Sequence, residues 1–510
     1  MRWSSRWLLV VGVFVLGACA RPQPGAPRPT SASPSATPSS LRPTPSAGPS
    51  SPTPATAPTL PPSRGRVFYV SPAGDDANPG TRERPWASPG AASRRLHSGD
   101  TLIILRGRYR LSGDDDILTP PSGTPDGWVT IAGEAGQRPV LVGSNNLLTA
   151  IDLSGARYVR VRGLEITHDD RASGQDGWFR DGIDILAAPA EHIVLEDLYI
   201  HHVDEFGINV QDVDDLQILN SRIVYAGFGA LGGPAGAHGG WRHVVVRGCT
   251  LAYSGHYYRG GDGHDRPYDR PDGFGIEPSE GPILIENTVA AHNYGDGLDS
   301  KAARTTIRNS VVANNSCDGV KLWGSQSSVE NTLIYGRGDG DATPTPWAAI
   351  VIDTTTPQAV FALRHVTVDD ALGQNYLLYA QYDHPTVPIT LHWENVIFAS
   401  RGERASVYLA PAVDLQARGV LFFFPHVEAP LQRGEMLYDC QALLGLGGGL
   451  QCGDPRFVAP AWGEEGDYHL QAGSPAIDAG FSIGVTTDLE GRPRDAHPDL
   501  GAYEYQAADQ

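Results

Sequence analysis

The sequence predicts an all-β fold, a right-handed parallel β-helix with an N-terminal cap and a C-terminal capping segment, on three observations. Asn287, Asn309 and Asn331 recur at a spacing of 22 residues, with Gly163, Asp197, Asn220 and Gly248 in the equivalent place at less regular intervals. An aliphatic residue stands two positions before each of them, as at Val161, Leu195, Ile285, Ile307 and Val329, and a small or aliphatic one three positions after, as at Ile166, Ile200, Ala290, Val312 and Ile334. The composition, 60 Gly and 41 Pro in 510 residues with 8% aromatic, suits a turn-rich β chain. Strands this short cannot bury one face alone, so they must stack on copies of themselves, each coil about 4.8 Å above the last. The Asn column fits an internal amide ladder at a turn, where Asn tolerates left-handed backbone geometry.

In chain order, residues 1–18 read as a signal peptide: Arg2 and Arg6 precede an apolar run from Trp7 to Leu16 that is too short to span a bilayer. Leu16-Gly17-Ala18-Cys19 resembles the bacterial lipobox, which implies lipidation of Cys19; an ordinary cleaved signal is the alternative. Residues 19–64, almost wholly Pro, Ser, Thr, Ala and Gly, have too few apolar groups to fold and predict a disordered tether. Residues 65–156 supply the N-terminal cap and first coils, with a strand-like run at Arg66 to Val70, a short helix near Ala91 to Leu96 and a strand at Thr101 to Leu105. The β-helix proper runs over 157–425. Two intervals break its period, His168 to Arg180 and Ala252 to Pro271, and predict loops that either wall a groove or lie plainly on the surface. Residues 426–510 form the capping segment; its G-S-P-A-I-D-A-G and R-P-R-D-A-H-P-D-L-G-A-Y-E runs resemble the tails of bacterial surface β-helix proteins. In an exported chain Cys440 and Cys452 are the expected disulfide, Cys249 is expected free in the core, and Cys317 stays open.

Chemistry concentrates between Asp272 and Gly324. The motif D-G-F-G-I-E from Asp272 is followed by G-D-G-L-D-S-K from Gly295 and C-D-G-V-K-L-W-G from Cys317. The chain has only two lysines, Lys301 and Lys321, and both fall here. Residues two and four after each Asp-Gly aspartate are mostly apolar, so residues three and five must face out. That places Asp184, Asn209, Gly275, Asp299 and Lys321 in one exposed column, and Glu277, Lys301 and Trp323 in a second. Asp272, Asp296 and Asp318 stack at the turn before the strand. Stacked carboxylates repel, and clustered carboxylate oxygens are the ligand set calcium prefers; Asp-Gly as simple turn chemistry is the alternative, and the preferred one for Asp318 alone. A lysine beside a bound divalent cation is destabilised as ammonium and becomes available as a base. Trp323 is placed to stack on a sugar ring, Glu277 and Lys301 lie beside it, and Arg304 or Arg308 to pair with a second uronate carboxylate; ordinary packing and solvated charge are the alternatives.

The D-G-L-D and D-G-V-K-L-W-G arrangement on consecutive coils resembles polysaccharide lyase family 9, over about Arg157 to Asp353. The resemblance implies a pectate-lyase-like enzyme with Lys321 as the catalytic base and calcium held by Asp272, Asp296 and Asp299. One position departs from the family pattern: Gly295 precedes Asp296 where the family carries a second aspartate.

The leading reading is a lipid-anchored, exported, monomeric lyase acting on acidic polysaccharide such as pectate. A non-catalytic glycan-binding or structural surface protein, a β-helix glycoside hydrolase and a uronate epimerase are the alternatives. The lysine in the site favours elimination over hydrolysis, which needs two carboxylates across the scissile bond. A formal net charge of -19 argues against a nucleic-acid partner and leaves the lipid anchor as the membrane contact. Lys321→Ala is expected to abolish activity and leave thermal unfolding unchanged.

Overall fold

Alternation of inward aliphatic and outward polar residues is realised as three ladders of parallel strands, one along each face of a right-handed β-helix. The structure is a computed structural model, and it describes residues 65–259, 271–336, 348–370, 376–403, 406–461 and 463–507. The expected signal segment, Cys19 and the expected tether lie outside the described residues, as does the acidic part of the second insertion, 260–270. Among the described residues no helix is long and apolar enough to cross a membrane.

The first ladder begins at Val67–Val70 and Thr101–Ile104, so coiling starts with the first described strand, and continues through Arg157–Arg162, Ala190–Glu196 and Val213–Leu219 to Val413–Phe423. The second runs from Arg108–Leu111 through Glu165–His168, Tyr199–Val203 and Thr367–Asp370 into the later halves of the long strands Ile389–Ser400 and Val413–Phe423, and ends at Leu450–Cys452. The third, twelve strands among the described residues, runs from Leu147–Asp152 to Leu431–Arg433, with Met436–Tyr438 folded back on it as an antiparallel end. This third face carries the site.

The interior is filled by the predicted aliphatic columns: Val161, Leu195, Ile285, Ile307, Ile166 and Ile200 are all inaccessible to solvent. Each such side chain contributes roughly 1.5–3 kcal/mol by leaving water, which the isolated strand could not obtain. At the corner between the first two ladders, Asp197, Asn220, Asn287, Asn309 and Asn331 all adopt φ near +50°. Asn331 Nδ2 donates to Asn309 Oδ1 at 2.8 Å, so the amide ladder exists where the 22-residue spacing places it. The same corner continues as His365, Asn395 and Gly419, also at positive φ, beyond the regular period.

The helix Pro89–Arg94 closes the N-terminal end, setting Ala92 against the core together with Leu96 and Trp86. The C-terminal segment divides into two parts. The helix Cys440–Gly445 buries Leu443 in the open end of the coil, with Cys440 and Cys452 joined across 6.0 Å between Cα atoms. Residues beyond 453 then turn back and pack along the flank. Gly463 N–H donates to Asn314 Oδ1 at 2.9 Å, Tyr468 Oη to Asp369 Oδ2 at 2.9 Å, and Phe481 N–H to Asn395 Oδ1 at 2.8 Å. Arg494 Nη2 donates to Asn331 Oδ1 at 2.9 Å while Nη1 meets Glu504 at 3.0 Å. The segment therefore braces several coils at once. Cys249 is a free thiol buried in the core, and Cys317 is a buried thiol outside the disulfide.

Candidate active site

Three consecutive strands of the third ladder, Asp272–Ile276, Leu298–Ser300 and Val320–Leu322, form the site. Their register pairs Gly275 with Asp299 and Asp299 with Lys321, as the two-residue alternation requires. Upstream the column reads Asp184, Asn209 and then Gly232 before Gly275. The rung at Gly232 carries no Asp-Gly motif and was invisible to the motif alignment.

The aspartates that open each rung serve the backbone first. Asp296 N–H donates to Asp272 Oδ1 at 2.7 Å, Asp318 N–H to Asp296 Oδ1 at 2.8 Å, and Ala348 N–H to Asp318 Oδ1 at 3.0 Å. Each carboxylate thus fastens the next coil with one oxygen and presents the other. Turn chemistry and site chemistry are two halves of one side chain.

Lys321 Nζ lies 2.5 Å from Asp296 Oδ2 and 3.2 Å from Asp318 Oδ2. Asp318 is therefore a partner of the lysine, a role that the turn reading of this residue did not include. Lys301 Nζ lies 3.2 Å from Glu277 Oε1 and 3.6 Å from Asp299 Oδ2. Although these side chains point away from the interior, Asp299 and Lys321 keep only 7% and 6% of their surface, which corrects the expectation of an exposed column, and Asp296 at the turn beside them keeps 4%. Stacked at the strand spacing, they cover one another.

Burial sets the electrostatics. It pushes the Asp272 carboxyl well above the usual carboxylate range, reinforced by Asp296 and Asp299 and opposed by Lys321. Burial likewise raises Asp299, against the pull of Lys301 and Lys321. For Lys301 burial works against the charge, but the Asp299 and Glu277 carboxylates outweigh it and hold the amine above its ordinary value. The ammonium form of Lys301 is thereby favoured.

Asp272, Asp296 and Asp299 offer carboxylate oxygens that all lie within 4.8 Å of one another. Asp299 Oδ1 is buried and accepts no hydrogen bond from the protein. An all-oxygen donor set with a buried acceptor lacking a donor fits a hard divalent cation such as calcium.

The other predicted residues separate. Glu277, Lys301 and Trp323 each follow an in-register strand end, and Trp323 is half-buried on the turn after Leu322. Arg308 lies on a different ladder, its Nε 2.6 Å from Glu286 Oε1, with Arg247 at 2.6 Å on the other oxygen. It belongs to a structural ion row, and the substrate role expected for it is withdrawn. Arg304 commits its Nη2 to the carbonyl oxygens of Glu280 and Gly281, at 3.0 and 3.1 Å, so it too is a turn fastener. The two insertions pack on each other: Arg259 Nη1 donates to Ala172 O at 3.3 Å and the His168 and Tyr257 rings lie 5.1 Å apart.

A family model described as the right-handed β-helix region of Pel9A-like proteins matches residues 68–332, about half of the chain, including all three aspartates and both lysines. The chain belongs to the Pel9A-like right-handed β-helix family. No curated protein sequence matches it. Among solved structures, XylC in complex with xylose is similar at a TM-score of 0.59 and 11% identity, over 86% of this chain and 98% of that one. The A-module of the mannuronan C-5 epimerase AlgE6 from Azotobacter vinelandii is similar at 0.50 and 14%, over 72% and 94%. Pectate lyase Pel9A is similar at 0.45 and 15%, over 87% and 97%. At these identities the likeness is one of fold.

Proposed function

We propose that the protein cleaves an acidic, uronate-containing polysaccharide such as pectate by calcium-assisted β-elimination. The observation that carries this reading is the placement of Lys321, in register beside Asp299 and 2.5 Å from Asp296, on the face where three carboxylates converge. Asp272, Asp296 and Asp299 would hold the cation, which would neutralise the substrate carboxylate and disfavour the ammonium form of Lys321.

Lys321 Nζ takes the ring proton next to the uronate carboxylate, held in line by Asp296 and Asp318. The electron pair of that C–H bond forms the ring double bond, and the neighbouring glycosidic C–O bond breaks with its electrons. The leaving oxygen takes a proton from solvent. Lys301, kept charged by Asp299 and Glu277, supplies a fixed positive charge beside the carboxylates. A hydrolase would place two carboxylates alone across the bond, whereas here an amine sits among them. We further place the enzyme at the cell surface, anchored through a lipidated Cys19; Cys19→Ser should release it into the medium.

Wild-type protein given polygalacturonate and calcium should generate the ultraviolet absorbance of an unsaturated uronate, and chelator should remove it. Lys321→Arg keeps the positive charge but cannot deprotonate near neutral pH, so it should be inactive with its fold intact. Wild-type turnover by Lys321→Arg would overturn the assignment of the base.

A further inference from the structure

Beyond Lys321 the same two columns change character. The column of Asp272, Asp296 and Asp318 passes through Ala348, which donates to Asp318, to Tyr376. The column of Gly275, Asp299 and Lys321 continues through Val351 and Tyr379 to Tyr408. Ala348, Val351 and Tyr379 form an apolar cluster of their own, separate from the interior core, with Tyr376 and Tyr408 packed against it. Such a cluster sits on the outside of the coil.

The rings are arranged as a platform. Tyr376 and Tyr379 stack at 4.7 Å and 7°, Tyr382 stacks on Tyr379 at 4.4 Å, and Tyr408 stands edge-on to Tyr379 at 5.0 Å. Tyr382, at the turn after the Tyr376–Ala380 strand, keeps 51% of its surface exposed. At the strand spacing, Tyr379 and Tyr408 lie about 10 and 14 Å along the face from Lys321. A glycan seated at Lys321 and running along the ladder must cross these rings.

We propose that this tyrosine platform is a sugar-stacking subsite that binds the pyranose rings of the polysaccharide beyond the cleaved linkage. It rests on the lyase reading for its direction but not for its chemistry. Tyr379 lies buried beneath the other rings, and the exposed ring of Tyr382 matches the C–H face of a pyranose, apolar where the carboxylate end of the groove is charged. The subsite therefore takes hold of the chain by shape and ring contact, leaving charge recognition to Lys301 and the aspartates.

The test uses full-length Lys321→Arg protein, so that ligand is not consumed, and titrates it with a long oligogalacturonide and with a fragment too short to reach two rungs past residue 321. Adding Tyr382→Ala should weaken the long ligand about tenfold and leave the short one unchanged, a loss in line with one exposed aromatic contact. Tyr382→Phe, which keeps the ring, should bind as the parent does. Equal affinity of Tyr382→Ala and parent for the long chain overturns the proposal. Should no uronate polymer be cleaved, retardation of wild-type protein in gels cast with polysaccharide, lost in Tyr382→Ala and kept in Tyr382→Phe, would support the platform while the lyase reading fell.

Discussion

Replacing Lys321 by Ala removes the positive charge between Asp296 and Asp318, which keep 4% and 0% of their surface. Neither carboxylate can turn to water, because Oδ1 of each is fastened to the backbone of the following coil. Removing one partner of a buried ion pair costs about 3–5 kcal/mol, a large share of the stability of an ordinary domain. This revises the expectation from sequence that the substitution would leave unfolding untouched. Denaturant unfolding of wild type and Lys321→Ala at pH 8, with calcium or chelator, measures the effect. The deficit should be largest in chelator, where the two buried carboxylates are uncompensated. It should shrink in calcium, where a bound cation replaces the lost charge. A Lys321→Ala protein within about 1 kcal/mol of wild type at pH 8 in chelator would refute the reasoning, since the pair would then contribute no more than one at the surface.

Asp299→Asn should remove most of the calcium-dependent gain in thermal stability, a gain of about 2.7 kcal/mol for wild type at a hundredfold excess over Kd; an undiminished shift would place the cation elsewhere. Arg494→Ala should cost about 3–5 kcal/mol, because Glu504 and the Asn331 amide lose a buried guanidinium, and should make the segment after residue 453 the first site of limited proteolysis. Burial raises Asp369 from its ordinary 3.8 to about 7, against Arg401 and the Tyr468 hydrogen bond. Its stabilising protonated state is thus fully present below pH 4 and is lost as pH rises through 7, a change on the order of 4 kcal/mol. Asp369→Asn should flatten that part of the stability profile, and an unchanged slope between pH 4 and 7 would contradict it.

What was legible in the sequence was what repeats. The Asn corner could be read because left-handed backbone geometry selects Asn, Asp and Gly, and the turn recurs with the coil. Lys321 and Asp299 could be put in register because strand side chains alternate, so two Asp-Gly pairs fix the offset. Features lacking a local repeat escaped. The tyrosine rungs follow Lys321 at intervals of 28 to 30 residues, so a 22-residue template passes over them. The return of the C-terminal segment rests on contacts such as Arg494 to Asn331, 163 residues apart, for which the chain carries no periodic signal. Arg308 was misassigned because its neighbour across the coil, Glu286, lies outside the motif that drew attention to it. The burial of the lysine column was not readable either, since alternation gives the direction of a side chain and not the depth of its surroundings.

Because each aspartate of the ladder clasps the coil after it, the separation of one reacting group from the next is set by the pitch of the backbone and not by the pose of a loop. Such a groove behaves as a ruler with fixed graduations. A change of specificity can exchange what stands at a graduation, or duplicate a whole turn and shift the reading by one mark. It has no means of moving the amine by half a division.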